Sequence, residues 1–144
     1  MKKALALTLT FAALLTAGCP MKPPAMKNPA AEQAALQVAQ EWVKMPDEGR
    51  HGESWDAMGA YIRTVMPRDR WIENITPIRS AMGAMKGRVI ESQQYSTALP
   101  QFPDGEYVVI NFNTHFEHKK KGGETVLVGL EADGEWRVCG YFVR

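Results

Sequence analysis

The chain has 144 residues, of which 45% are hydrophobic and 23% charged, a composition ordinary for one globular domain. Two of its 17 basic residues, Lys2 and Lys3, precede an apolar run, and without them 15 basic residues face 16 acidic ones. Such a near-neutral domain lacks the positive field that collects phosphates, which excludes a nucleic-acid partner.

Residues 1–18 have the order of a secretory signal peptide. A short positive start is followed by the apolar stretch Ala4 to Leu15 and then by the small residues before Cys19. The apolar stretch is shorter than the roughly 20 residues that a transmembrane helix needs. The sequence therefore predicts export with removal of this segment.

Cys19 is the predicted lipid-attachment residue. The run Leu15 to Cys19 resembles the lipobox of bacterial lipoproteins, in which the cysteine is acylated after cleavage before it, although Thr16 holds the place where leucine is commonest. Pro20 stands where an acidic residue would favour the inner membrane, so by resemblance to lipoprotein sorting we expect an outer-membrane anchor and a domain in the periplasm. The alternative is ordinary cleavage after Gly18, which leaves a soluble periplasmic or secreted protein.

Residues 19–29 are predicted to be a tether behind the lipid. Between Pro20 and Pro29 there are four prolines, two lysines and no aromatic residue. Such a stretch cannot bury enough surface to fold, and proline-rich segments are extended and semi-rigid. The predicted partner of this part of the chain is the membrane, reached through the lipid anchor.

The pattern of residues 30–144 predicts one domain that begins with three helices. Asn28 and Pro29 favour a helix start, and apolar residues recur at helical spacing over 30–45, over 53–66 and from Pro67 onward. Pro77 lies inside the third helix and is expected to kink it. Gly83 or Gly87 is expected to end the helical half.

Four strands are predicted to follow, over 88–98, 106–118, 124–131 and 135–144. The lysine run 119–121 reads as a solvated hairpin tip, and Asp133-Gly134 is a strong hairpin signal. Three helices followed by an antiparallel meander predict an α+β fold with the helices on one face of a curved four-stranded sheet. This order of elements is similar to the cone-shaped fold of nuclear transport factor two, or to a cystatin-like fold.

The second strand carries a candidate pocket of low specificity. Its apolar side chains alternate with the polar row Asn111, Asn113, His115 and Glu117. In a cone-shaped fold this row could bind a ligand, with His115 or Glu117 transferring protons. The alternative is that the row simply faces water, as in many antiparallel sheets.

No cofactor or metal site is predicted. His115 and His118 are three apart on a strand and point to opposite faces, and the sequence has no paired-cysteine, phosphate-loop or dinucleotide motif. Cys139 is expected to be a small buried side chain. A Cys19–Cys139 disulfide is the alternative if Cys19 is not acylated.

The tryptophans Trp42, Trp55, Trp71 and Trp136 stand at helical or alternating spacing. This spacing favours positions in the core. Walls of a ligand cavity are the second interpretation.

Two segments resemble a known family. They are DGEYVVI at 104–110 and GEWRVCGYFVR at 134–144, with Ser54-Trp55 and Arg70-Trp71 upstream. Together they are similar to a bacterial family catalogued as domain of unknown function 4019, over about 31–144. The resemblance implies small exported proteins and supplies no mechanism.

Three functions remain open from the sequence, the third being a purely structural or accessory domain that acts with a partner encoded nearby. The first is a non-enzymatic envelope lipoprotein that binds an envelope protein or a small ligand. The second is a small enzyme that uses His115 or Glu117 in acid–base chemistry. No convergent set of nucleophile, base and metal demands the second.

Overall fold

The computed structural model describes residues 26–144. The predicted signal peptide, Cys19 and most of the tether lie outside the described residues. None of the helices within 26–144 is both long and apolar enough to cross a bilayer.

The described chain folds as a helical half followed by a sheet. Its elements are α1 (Pro29–Trp42), α2 (Lys44–Asp47), α3 (His51–Asp56), α4 (Ala60–Val65), α5 (Arg68–Met82), β1 (Met85–Ser96), β2 (Tyr107–Phe116), β3 (Gly122–Leu130) and β4 (Trp136–Val143). The strands form one antiparallel sheet in the order β1-β2-β3-β4. The α+β class and the four-stranded meander are thus confirmed.

The number of helices is a correction to the sequence analysis, because residues 26–144 contain five helical segments where three were predicted. The predicted helix over 53–66 is interrupted between Asp56 and Ala60. Gly59 there is extended, and its N–H donates to the carbonyl oxygen of Val138 in β4 at 2.9 Å. The helix therefore stops before Gly59, because the N–H of this residue bonds to the edge strand of the sheet and not to a carbonyl group of the preceding turn. Likewise the first predicted helix is divided, and Pro46 falls within α2 instead of ending α1.

Two local predictions about helix ends are confirmed. The side-chain oxygen of Asn28 accepts the Ala31 N–H at 3.2 Å, with Pro29 in the first helical position. At the other end of the helical half, α5 contains Pro77 and stops at Gly83, whose φ of 73° favours glycine.

The core lies between the helices and one face of the sheet. Alternate residues of β2 from Val108 to Phe116 are almost fully buried, as their apolar pattern predicts. The side chains of Trp42 and Trp71 pack on this layer from α1 and α5, so the core interpretation holds for both. We call the buried side of the sheet the inner face and the other side the outer face.

The two ends of the sheet carry different loops and different ends of the described chain. The chain enters the described structure beside the end of β1, where Glu32 accepts the Tyr95 N–H at 3.3 Å. We call this the entry end; it also carries the turns 97–106 and 131–135. The opposite end, which we call the far end, carries the 117–121 hairpin and Arg144.

Candidate functional site

An apolar cavity of about 330 Å³ lies between α4, α5 and β4. None of the described residues that line it is charged. Its walls are formed by Met58, Ile62, Met66, Trp71, Asn74, Ile75, Ile78, Phe102, Cys139, Gly140, Tyr141 and Phe142. The amide of Asn74 is the clearest polar group at its edge, so the cavity favours an uncharged, largely apolar occupant.

The helices supply the cavity wall through ordinary helical periodicity. Trp71, Ile75 and Ile78 recur at the spacing that places side chains on one face of α5. The indole N–H of Trp71 donates to the Ser54 hydroxyl at 3.0 Å, so the polar edge of the ring is satisfied. The indole N–H of Trp55 donates to the Met66 carbonyl at 2.7 Å, which holds the end of α4 in place beside α3.

Cys139 contributes a thiol to this cavity, and the residue is only 4% exposed. Burial, assisted by the negative charge of Glu131, raises the pKa of the thiol to about 12. The group is therefore neutral at physiological pH and behaves as a small apolar side chain, without the thiolate that a nucleophile needs.

A buried ion cluster lies beside the cavity, on the inner face of the sheet. Arg88 donates to Glu124 at 2.6 Å and to Asp47 at 2.8 Å. Arg79 donates to Asp47 at 2.8 Å, and the hydroxyl of Tyr141 donates to Glu124. Two guanidinium groups and two carboxylates thus neutralise each other across α2, α5, β1 and β3.

The cluster holds its charges despite burial. Loss of hydration opposes ionisation of Glu124, but hydrogen bonds from Arg88, Thr114 and Tyr141 outweigh it and lower the pKa of the carboxyl group. For Arg88 burial again opposes the charge, and its bonds to Asp47 and Glu124 raise its pKa above the usual value. Because Glu124 is 0% exposed, its carboxylate joins elements of the fold and is closed to a substrate. Arg88 and Asp47, at the margin of the cluster, border surface depressions.

Two nitrogen atoms near the cluster are buried without a hydrogen-bond partner among the described residues. They are Nε of Arg79 and Nδ1 of His51. Burial and the charge of Arg79 lower the pKa of His51, which keeps the imidazole neutral near pH 7. Both atoms are closed to solvent, so they offer no contact to a ligand in the native arrangement.

The sequence analysis missed this cluster, although one signal was present. Glu124, Val126 and Val128 are alternate residues of β3, so their side chains lie on the same face of the sheet. Val126 and Val128 are fully buried on the inner face. A carboxylate in a buried apolar row needs a cationic partner. The identity of that partner depended on α5 and β1, which lie far away in sequence.

The predicted polar row is divided: Asn111, Asn113 and His115 lie on the outer face of β2, whereas Glu117 follows the end of that strand in the 117–121 hairpin. Asn111 donates to Ser92 at 3.0 Å and accepts from Thr125 at 2.7 Å. Glu117 accepts the Ala84 N–H at 3.2 Å, and this contact lowers its pKa. Asn113 and His115 are exposed and line a common depression, which Asn111 and Glu117 do not reach.

That depression has a volume of about 480 Å³ and lies at the far end of the sheet. Lys120 and Lys121 from the hairpin form part of its rim, and Gly87 and Val89 of β1 lie on its other side. It is open and cationic, in contrast to the apolar cavity. The residues that line it include no carboxylate.

The fold and these features define a small α+β domain that carries an apolar cavity between α4, α5 and β4 and a cationic depression at the far end of the sheet. A family model described as protein of unknown function (DUF4019) matches residues 38–141. The chain belongs to this family, which confirms the resemblance found in the sequence. No curated protein and no solved structure matches the chain.

Proposed function

We propose that this chain is a non-enzymatic envelope lipoprotein whose domain binds a small, uncharged, apolar molecule. The observation that carries the proposal is the cavity between α4, α5 and β4, which is bounded by aliphatic, aromatic and thioether side chains. A charged ligand would lose its hydration there without gaining a partner.

The cavity volume limits the size of the ligand. Ligand sites generally measure roughly 300–1,000 Å³, and about 330 Å³ is near the lower limit. Met58 and Met66 add unbranched, polarisable side chains that adapt to different ligand shapes. The expected ligand is compact, and the amide of Asn74 is placed to bind one polar atom of it.

The arrangement of the cavity also supports the finer assignment of the fold. Helices that cover a curved antiparallel sheet and leave a cavity between the layers are similar to the cone-shaped nuclear transport factor two and cystatin-like folds. This likeness is one of fold and adds little about the ligand itself. The walls of the cavity remain the main support.

Blocking the cavity should abolish ligand binding. The neutral dye N-phenyl-1-naphthylamine is expected to bind one to one and to gain fluorescence. Ile78→Trp places a larger side chain at the mouth from a position already 41% exposed. We expect it to weaken dye binding at least tenfold in a fluorescence titration.

The matched control is Ile90→Trp, because Ile90 is 44% exposed and lies on β1, away from the cavity. This variant should bind the dye within twofold of the unmodified chain. Equal binding by both variants, or no saturable binding by the unmodified chain, would contradict the proposed ligand site.

The anchoring part of the proposal rests on Cys19. Cys19→Ala should move the chain from the membrane fraction to the soluble fraction and abolish incorporation of radiolabelled palmitate. Several acyl chains, each methylene contributing about 0.8 kcal/mol, otherwise hold a protein stably on a membrane. Fractionation and labelling in a bacterial host measure both effects.

Cys139→Ala is the control for this experiment, since Cys139 is the other cysteine of the chain. It should leave both fractionation and labelling unchanged. Membrane association that survives Cys19→Ala would refute the lipid anchor.

A further inference from the structure

Charge is segregated between the two ends of the sheet. The entry end carries more acidic than basic residues, namely Glu32, Asp104, Glu106, Glu131, Asp133 and Glu135 against Lys27 and Arg137. Apart from the ion cluster, whose two arginines and two carboxylates balance, the far end has the opposite balance, with Lys86, Lys119, Lys120, Lys121 and Arg144 against Glu91 and Glu117. Within residues 26–144 the local positive field thus lies at the far end.

The positive charge of the far end is available to a partner. Lys120 and Lys121 are exposed and take part in none of the salt bridges formed within residues 26–144. His115 lines the same depression, and Val89, which is 64% exposed, adds an apolar contact. The depression therefore combines cationic and apolar chemistry.

An open strand edge borders this depression. β1 is the outermost strand, and Val89 and Ser92 are paired with Asn113 and Asn111 of β2, with a register shift between Ile90 and Ser92 that leaves Glu91 as an extra residue. Alternation along the ladder directs the backbone N–H and C=O groups of Arg88 and Ile90 away from β2. Within the described residues no other backbone group hydrogen-bonds to them. The Tyr95 N–H points outward in the same way and donates to Glu32.

We propose that the far end is a docking surface for an acidic, extended peptide segment of a partner protein. The peptide pairs with the open edge of β1 as a fifth strand, and its carboxylates lie against Lys120, Lys121 and His115. When a peptide adds to a sheet edge as a further strand, its main-chain hydrogen bonds supply the affinity. The charges supply selectivity and a faster association rate.

Two alternatives, a lipid surface and a phosphate polymer, fit the geometry less well. β1 contains 12 residues, so at about 3.3 Å per residue the far end lies roughly 30 Å or more from the entry end. With the proposed anchor the membrane is therefore on the other side of the domain. A phosphate polymer has no amide groups with which to satisfy the N–H and C=O groups of β1.

The test measures binding of fluorescein-labelled octapeptides to the full chain in neutral detergent by fluorescence anisotropy. The probe alternates Glu and Val, and its comparators are the same peptide with Gln for Glu and a copy with N-methylated backbone amides. We expect both comparators to bind at least tenfold more weakly than the probe. Its affinity should fall as salt rises, since exposed charges are screened.

Matched charge reversals locate the site. K120E/K121E should weaken binding of the Glu–Val peptide at least tenfold. K27E/R70E, an equal change of charge at exposed positions that line neither the depression nor the groove beside Arg88 and Ile90, should change it less than twofold. Equal losses in the two variants, or equal binding of the Gln–Val peptide, would overturn the docking surface.

Two further outcomes would overturn the choice of a peptide. They are undiminished binding of the N-methylated peptide, and binding of short polyphosphate or phosphatidylglycerol vesicles as tightly as the probe. The surface is independent of the apolar cavity, so dye binding to K120E/K121E should be normal. The same assay with Cys19→Ala shows whether docking requires the lipid.

Discussion

Replacing Glu124 with alanine is expected to lower the free energy of unfolding by about 3–5 kcal/mol. The substitution leaves Arg88 with one carboxylate partner in place of two, and it removes the acceptor of the Thr114 and Tyr141 hydroxyl groups. Buried charge without compensation is strongly destabilising. Urea unfolding followed by tryptophan fluorescence measures the change.

The control for this prediction is Glu41→Ala. Glu41 pairs with Lys44 at 2.7 Å, but its side chain is 74% exposed, and such surface pairs contribute about 0–1 kcal/mol. A loss at Glu124 no larger than the loss at Glu41 would show that the cluster adds nothing to stability.

The same carboxylate makes stability depend on pH. The folded pKa of Glu124 is below the ordinary value of 4.5. Its contribution is therefore complete above that value and is lost as the pH falls through the folded pKa. Glu124→Gln should flatten the fall of stability on the acid side of pH 4.5, measured by urea unfolding at several pH values. An unchanged acid slope would contradict the assignment.

Replacing Trp42 with alanine is expected to cost about 3–5 kcal/mol. The indole packs edge-on against Tyr141 at 5.2 Å and lies 6.1 Å from the ring of Trp71. Its N–H also donates to the Ser54 carbonyl at 2.9 Å, so truncation leaves both a void and an unpaired carbonyl group. Thermal or urea unfolding followed by circular dichroism avoids the loss of a tryptophan signal.

Phe142→Ala serves as the comparison for Trp42→Ala. Phe142 is also aromatic, but it is 60% exposed, and substitutions at exposed sites usually change stability by about 0.5 kcal/mol or less. Similar losses in the two variants would mean that Trp42 is not a central element of packing.

The two proposed binding surfaces lie in different parts of the domain and require different partners. The apolar cavity lies against β4, whereas the cationic depression borders β1, on the opposite edge of the sheet. A small ligand and a peptide could therefore bind at the same time. Comparing peptide affinity with and without dye will show whether the sites influence each other.

The candidate site was predictable only in part. The row from Asn111 to Glu117 was found by its alternation. The structure places Asn111, Asn113 and His115 on the outer face of β2 and Glu117 beyond the end of that strand. Only Asn113 and His115 share a depression. Their cationic neighbours, Lys120 and Lys121, were interpreted as a solvated hairpin tip. The sequence does not show that the turn lies next to β1 and β2, so it could not place these lysines in the depression.

The sequence by itself determined the local structure. The Asn28 cap, the stop at Gly83 and the alternation of β2 depend on backbone preferences and side-chain periodicity, which act within a few residues. The α+β class follows from the order of these elements.

Only the tertiary structure decided the break between α3 and α4, the partners of Glu124 and the cavity on β4. The break depends on a hydrogen bond from Gly59 to Val138, and the ion cluster joins Asp47, Arg88 and Glu124. These contacts connect residues separated by 36 or more positions. Their energies depend on packing and burial between distant segments, which periodicity along a single chain does not encode.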